Sequence, residues 1–404
     1  MANTKQLNPL QQKIIQTIET NKPGLLEVSH FIHSHPELGK MEIQASQKLT
    51  EALEARGFTV ERGYVGIPTA FCARKKGKKG SPRVAFLAEY DALPEIGHAC
   101  GHNLISTAAL SAGIGLGEVI GDLDGEVWVI GTPAEETDGQ KVNMVASGVF
   151  DQVDAALMFH AYEGNYSEVE TLAMDAIEVE FFGRLAHAAA APWDGLNALD
   201  AAILLFTNIN ALRQQMRTDG RIHGVIINGG AAPNIIPEYT RSRFYIRASK
   251  RAYLNELVEK FKACVHAAAQ ATGTRVEMRN YENSFDDMVT NVTIANRVRD
   301  YMVDSLGSGP FKRKPDSFGS ADMGNVSQVV PSVHVMMDIA NGKHIAPHTV
   351  EFREAACSPY ADEAVLRAGK ALALAGYDLL TDPSLLDSAR QEFEKSLGYA
   401  PKHS

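Results

Sequence analysis

The feature that most constrains the fold is a change in the order of predicted elements at about residue 173. Before it, helical patterns alternate with short β-rich runs, which is typical of a sheet covered by helices. From there to about residue 281 the order becomes strand, helix, strand, strand, helix, strand, and the earlier alternation then resumes. Because 404 residues exceed what one hydrophobic core usually serves, this interruption predicts a second domain inserted into the first.

The predicted architecture is therefore α/β, with two domains of different construction. Residues 1–173 and 291–404 form a catalytic domain with a mostly parallel central sheet, and its first helices are predicted at 9–21, 24–34 and 41–57. Residues 174–290 form an inserted ferredoxin-like α+β domain, because the β-α-β-β-α-β order defines that unit.

Composition restricts the partners of the chain. The formal charge of −10 disfavours nucleic acid and anionic membrane, which both need a basic surface. A small-molecule substrate is expected instead. The polar start, 1–21, lacks the apolar region of a signal peptide, so we expect a cytoplasmic protein. The four cysteines are too scattered for a disulfide framework.

Residues with donor side chains follow several predicted strands of the first domain. They are Glu89 and Asp91, then Cys100 and His102, then the pair Glu135 and Glu136, and then His160. Ligands bind at the carboxyl ends of strands in open α/β sheets, so these segments are expected to converge on one edge. A fifth imidazole near the end, His348 or His344, would complete a site for two ions.

The donor types indicate the chemistry. Thiolate, imidazole and carboxylate together favour zinc-like or manganese-like divalent ions. Taken singly, a cysteine or histidine at a strand end usually serves packing, and paired glutamates usually form a solvated turn. The combination favours a metal site, in which Asp91 orients an imidazole through a hydrogen bond.

These motifs, in this order, resemble the aminoacylase and carboxypeptidase family of dinuclear metallopeptidases. The Cys100-Gly101-His102 form is similar to the amidohydrolase branch of that family, which includes auxin-conjugate hydrolases, p-aminobenzoyl-glutamate hydrolases and a dipeptidase for basic dipeptides. The resemblance covers nearly the whole chain. The matching segments are 89–94, 97–104, 131–136, 186–189, 234–237 and 322–327.

The resemblance implies a zinc-peptidase-like catalytic domain that holds two divalent ions per chain, zinc or manganese. It assigns Glu135 as the general base and Asp91 as a supporting residue. Other members of the family have a histidine ligand where Glu89 stands, and the branch with Cys100 uses a different ligand set. His348 is preferred over His344 because Pro347-His348-Thr349 matches the closing motif. The implied metal ligands are Cys100, His102, Glu136, His160 and His348.

In the inserted domain, the resemblance implies that His187 contacts the substrate near its scissile carbonyl, with Asn234 nearby. It also implies a homodimer in which His187 reaches the site of the partner subunit. Arg247, at the end of a predicted strand, is a candidate anchor for a substrate carboxylate, because its planar guanidinium matches that group.

Three functions follow as hypotheses. The first is a metal-dependent hydrolase of the amide bond in a small substrate, either a basic dipeptide or an N-acyl or aminobenzoyl amino acid. The second is hydrolytic deamination of an aromatic amine on the same fold. The third is a metal-free binding protein, and the presence of Glu135 disfavours it.

Overall fold

The structure is a computed structural model that describes residues 7–312 and 319–398. These residues divide into two compact units. The larger unit comprises residues up to 170, 288–312 and from 322 onward, and the smaller comprises 171–287 and 319–321.

The larger unit is built on a six-stranded mixed sheet with the order β1-β2-β4-β3-β5-β12. The pairs β3/β4, β3/β5 and β5/β12 are parallel, and β1/β2 and β2/β4 are antiparallel. The expectation of a mostly parallel sheet therefore needs correction, because β1 and β2 add an antiparallel edge. The strands are β1 (Thr59–Arg62), β2 (Phe71–Lys76), β3 (Arg83–Ala88), β4 (Glu126–Gly131), β5 (Ala155–Tyr162) and β12 (Ser332–Asp338).

Helices cover this sheet, and the central one is α3. The helices of the larger unit are α1 (Pro9–Ser34), α2 (Ile43–Glu54), α3 (His102–Val119), α4 (Gln140–Ala146), α7 (Val292–Asp300), α8 (Met323–Ser327), α9 (Val350–Ala355), α10 (Pro359–Thr381) and α11 (Pro383–Ser396). One segment among the described residues, His102–Asp122, is long and apolar enough to cross a membrane, and 89% of its most apolar window is buried inside the protein. It is a core helix of this unit.

Glycines allow α3 to pack closely. A Cβ added at Gly113 would lie 2.3 Å from a methyl carbon of Val129, and one added at Gly115 would lie 2.8 Å from Ile18. Protein interiors have no free volume for such groups. The position of α3, and of the residue that begins it, is therefore fixed by backbone contact with β4 and α1.

The first helix differs from the prediction of two helices separated near residue 22. A capping box between Asn8 and Gln11 begins α1, and the helix continues through Pro23 to Ser34. Proline removes one backbone hydrogen bond and usually ends or kinks a helix. Here the buried residues on both sides of it, such as Ile18 and Leu25, belong to one core cluster, and this packing stabilises a single helix.

The smaller unit has a four-stranded antiparallel sheet with the order β11-β6-β10-β8. Alternate residues of β10, including Phe244 and Ile246, are buried in one core cluster with residues of its two helices. Its elements are β6 (Ala173–Phe182), β7 (Ala186–His187), α5 (Ala198–Arg213), β8 (Arg221–Asn228), β9 (Ile235–Ile236), β10 (Tyr239–Ala248), α6 (Arg251–Thr272) and β11 (Arg275–Asn280).

Candidate metal centre

The donor residues of the larger unit come together at the carboxyl ends of its parallel strands. Glu89 and Asp91 directly follow β3, and the pair Glu135 and Glu136 follows β4. His160 lies near the end of β5. Because these three strands are parallel neighbours, their carboxyl ends meet at one edge of the sheet, where ligands bind in folds of this class.

Two groups of three donors share one cysteine. Cys100, His102 and His160 form one group, and Cys100, Glu136 and His348 form the other. Within each group, one donor atom per residue lies within 4.8 Å of the others. The Sγ atom of Cys100 is 3.6 Å from Nε2 of His160, and Nε2 of His348 is 3.3 Å from Oε1 of Glu136. Donors around one ion have this spacing, since each bond to zinc is about 2.0–2.3 Å long.

Asp91 connects two of these donors. Its Oδ1 atom is 2.9 Å from Nδ1 of His102, and its Oδ2 atom accepts a hydrogen bond of 2.9 Å from the backbone N–H of Glu136. Both Asp91 and His102 are buried. The contact on Nδ1 fixes the imidazole so that Nε2 faces the other donors.

The donor set fits a divalent cation. Nε2 of His102 is buried without a hydrogen-bond partner, although buried polar atoms almost always have one. Burial lowers the pKa of His160, which favours the neutral, metal-binding form of the ring. Burial raises the pKa of the Cys100 thiol, so its sulfur becomes a thiolate donor only beside a positive ion. A cation satisfies both conditions.

Glu135 adjoins this cluster. Its Oε2 atom is 4.0 Å from Nε2 of His102. Burial, and then the charges of Glu89 and Glu136, raise the pKa of the Glu135 carboxyl well above its ordinary value. A carboxyl group in this environment is suited to hold a proton at neutral pH.

The two candidate C-terminal histidines lie in different surroundings. His348 contacts Glu136, whereas Nδ1 of His344 is 2.7 Å from Glu163 and its side chain is 88% exposed. His348 adopts a left-handed backbone conformation (φ 64°), and its N–H donates to the carbonyl of Ala99. This contact ties the residue to the segment that contains Cys100.

The sequence did not single out a buried charge network beside Glu135. Lys141, Glu89 and Asp322 are all buried, and Nζ of Lys141 lies 2.5 Å from Glu89 and 2.7 Å from Asp322. One carboxylate oxygen each from Glu89, Glu135 and Asp322 lie within 4.8 Å of one another. Lys141 is therefore the internal cation for this carboxylate group. A lysine within the otherwise uncharged helix α4 was the available sequence signal.

The remaining predicted residues lie in the smaller unit. His187, on β7, is exposed, and the carbonyl of Asn234 accepts a hydrogen bond of 3.0 Å from Ala188, so these two positions are close. Arg247 lies on β10, where its guanidinium is 5.4 Å from the centre of the Tyr245 ring and its Nε atom is buried without a hydrogen-bond partner.

The fold and the donor cluster define a class of protein: a metal-dependent α/β hydrolase. Residues 85–365 match the sequence profile described as Peptidase family M20/M25/M40. The chain belongs to this peptidase family. It is a hydrolase that cleaves the amide bond of small substrates.

Similar proteins agree with this assignment. A protein of Mus musculus described as Xaa-Arg dipeptidase is 37% identical over 418 residues, covering 98% of this chain and 95% of that protein. One of the subunits that form the p-aminobenzoyl-glutamate hydrolase of Escherichia coli is 34% identical over 305 residues, covering 70% of this chain and 63% of that protein.

Solved structures share the fold. A putative aminohydrolase from methicillin-resistant Staphylococcus aureus superimposes with a TM-score of 0.76 at 19% identity, covering 92% of this chain and 100% of that one. A Bacillus subtilis protein described as a dinuclear metal binding peptidase of the M20 family has a TM-score of 0.65 at 19% identity, covering 90% of this chain and 99% of that one.

Proposed function

We propose that the chain is a dinuclear metallohydrolase that cleaves dipeptides containing a basic residue. Its two divalent ions, zinc or manganese, are held by Cys100, His102, Glu136, His160 and His348. The observation that carries this proposal is the pair of donor groups that share Cys100, because a shared donor places two ions side by side, and a pair of ions can stabilise both the attacking and the leaving group.

The protein's own residues move the proton. Bound divalent ions supply Lewis acidity, which lowers the pKa of water and polarises a carbonyl oxygen. Glu135 accepts a proton from the attacking water on its carboxylate and then delivers it to the nitrogen of the leaving amine. Asp91 holds the ring of His102 and the backbone of Glu136 in place during both transfers.

The substrate class rests on sequence similarity. The Mus musculus relative named above and a second one from Homo sapiens, 36% identical over 416 residues, are both described as Xaa-Arg dipeptidase. The negative charge of this chain also attracts basic substrates at long range. The Escherichia coli relative, part of a p-aminobenzoyl-glutamate hydrolase, supports the second candidate class, an acyl or aminobenzoyl amino acid.

We assign His187, Asn234 and Arg247 to substrate binding. Nδ1 of His187 accepts hydrogen bonds from the backbone N–H groups of Ala189 and Ala190, at 3.3 and 3.2 Å. The neutral ring therefore bears its proton on Nε2, where it can donate to the carbonyl oxygen of a substrate. Arg247 would bind the substrate carboxylate through its planar guanidinium.

A homodimer through the inserted ferredoxin-like domain, residues 174–290, completes the proposal. Strand β8 lies at one edge of its sheet. Val225, Ile226 and Ile227 on this strand are 58, 40 and 45% exposed. An edge strand with apolar side chains pairs readily with another strand, and two-fold pairing of two copies would cover both edges. We further propose that this dimer is cytoplasmic and acts without a membrane.

The test is hydrolysis of a substrate panel by the purified chain with added zinc, manganese or cobalt. The panel contains Xaa-Arg, Xaa-Lys and Xaa-Glu dipeptides, N-acyl amino acids, p-aminobenzoyl-glutamate and an aromatic amine. We expect release of two amino acids from the basic dipeptides at the highest kcat/KM. Ammonia release from the aromatic amine alone would establish a deaminase. Binding without turnover under every metal condition would establish a binding protein.

A further inference from the structure

A second buried carboxylate, Glu42, contacts the turn that contains the proposed base. Glu42 directly precedes α2 and is 0% exposed. An acidic residue at this position usually accepts hydrogen bonds from the first turn of its own helix, but the side chain of Glu42 makes no such bond. Its Oε1 atom accepts the backbone N–H of Ala134 at 2.7 Å, and its Oε2 atom accepts the hydroxyl of Thr69 at 2.8 Å.

Ala134 has an unusual backbone conformation. Its φ is 59°, in the left-handed region that residues with a Cβ rarely adopt, at a cost of roughly 1–2 kcal/mol. Its N–H donates to Glu42, and its carbonyl accepts the N–H of Gly139 at 2.8 Å. A buried residue in this region persists only where its surroundings hold it. Because Glu135 follows directly, the conformation of Ala134 sets the direction of the base.

The two sides of Glu135 are held in the same way. On one side the N–H of Ala134 is bound by Glu42, and on the other the N–H of Glu136 is bound by Asp91. Each carboxylate has a second contact that fixes it: Glu42 with Thr69, and Asp91 with His102.

The chain just before Glu42 touches the same turn. A Cβ added at Gly39 would lie 3.0 Å from Cα of Ala134 and 2.4 Å from Oγ1 of Thr137. The segment from residue 39 to 42 thus contacts the turn both by close packing and by a hydrogen bond to a carboxylate.

From these contacts we infer that Glu42 is a positioning residue, which holds the backbone of Ala134 so that Glu135 faces the reacting water. This inference rests on the proposed role of Glu135 as the base. Small displacements of a catalytic group lower the rate sharply, by about 10²-fold for roughly 1 Å. Glu42 touches neither substrate nor metal in this assignment, so its loss should lower kcat and leave KM nearly unchanged.

The experiment compares Glu42→Leu with two matched variants. Glu42→Leu removes the acceptor for Ala134, and we expect kcat to fall by about 30- to 100-fold with KM and metal content nearly unchanged. Glu42→Gln retains an acceptor oxygen and should recover at least about tenfold of that loss. Thr69→Val removes the other hydrogen bond of Glu42 but spares Ala134, and should keep kcat within about threefold.

Equal losses of kcat in Thr69→Val and Glu42→Leu would reduce the contact to general packing, and unchanged kcat in Glu42→Leu would overturn the inference. If Glu42→Leu does not fold, Gly39→Ala displaces the same turn by collision, and its kcat should fall at least about tenfold. Glu135→Gln is measured in parallel. Full turnover in that variant would overturn the base assignment, whereas an inactive Glu135→Gln beside a fully active Glu42→Leu or Gly39→Ala would overturn only the role of Glu42.

Discussion

Asp322 binds Lys141 twice, accepting its side-chain ammonium at 2.7 Å and its backbone N–H at 3.1 Å. Glu89 occupies the other side of the ammonium. Burial of a charge is tolerated only with such partners. In spite of its burial, the charges of Asp322 and Glu89 raise the pKa of Lys141 above its ordinary range.

We expect Lys141→Met to destabilise the protein by about 3–5 kcal/mol, because removal of one partner leaves two buried carboxylates without their cation. Urea denaturation of metal-free protein measures the change. Lys79→Met is the control, since Lys79 pairs with Asp124 at the surface, where its side chain is 74% exposed, and we expect its unfolding midpoint to stay close to that of wild type. Similar midpoints for the two variants would contradict the proposed function of Lys141 as an internal cation.

Glu135→Gln should keep both ions and lose turnover by about 10²- to 10⁴-fold, since the substitution removes the base and leaves the ligand set intact. The measurements are kcat on the best substrate and metal content by elemental analysis. Glu95→Gln, at an exposed turn, is a control of the same chemistry. A Glu135→Gln enzyme within a few-fold of wild type would exclude Glu135 as the base.

The sharing of Cys100 predicts unequal effects of ligand substitutions. Cys100→Ala removes a donor from both groups and should lower the affinity for both ions, whereas His348→Ala removes a donor from one group and should leave about one ion per chain. Elemental analysis after dialysis against a weak chelator distinguishes them. Equal metal content in the two variants would show that Cys100 is not a shared donor.

Glu42 predicts a dependence of stability on pH. Burial, and then the charge of Asp91, raise the pKa of Glu42 to about 7. The folded state therefore binds this proton more tightly than the unfolded state does, and its contribution to stability is present at low pH. That contribution is lost as the pH rises from about 4.5 to about 7, by roughly 3 kcal/mol at most.

Glu42→Gln removes this titration, so the stability of the variant relative to wild type should improve from pH 5 to pH 8. Urea denaturation in the presence of EDTA at the two pH values gives the difference without a contribution from metal. A relative stability that is constant or falls with pH would contradict the raised pKa.

The proposed dimer predicts complementation between inactive chains. His187→Ala chains mixed with Cys100→Ala chains and allowed to exchange subunits should recover activity, because one of the two sites in each heterodimer receives an intact metal cluster and an intact histidine. Size-exclusion chromatography of differently tagged chains verifies the heterodimers. Verified heterodimers without activity would mean that His187 acts within its own chain or only in packing.

Local patterns in the sequence predicted much of the fold. The apolar runs that became β3, β4 and β5, and the polar residues after them, needed only the rule that parallel strands end at one edge. The order of β2, β4 and β3 could not be predicted in this way, because β4 comes between two strands that are consecutive in the chain. Similarly, the packing that keeps α1 continuous through Pro23 comes from residues distant in sequence.

The site shows the same limit. Its candidate donors were visible because thiol, imidazole and carboxylate groups stood in short motifs. Glu42 and Lys141 belong to no such motif, and each acquires its partners only after folding, from residues 92 and 181 positions away in the chain. Single polar residues of this kind look like ordinary surface positions until the tertiary structure surrounds them.

His102 is the first residue of α3, the helix whose glycines press against β4 and α1. One end of the candidate metal cluster is thus continuous with the most tightly packed part of the larger unit. The site has no hinge of its own at this position, so it cannot loosen while the interior stays intact. Thermal inactivation should therefore coincide with melting of the whole unit, and the assay temperature profile should follow its unfolding curve.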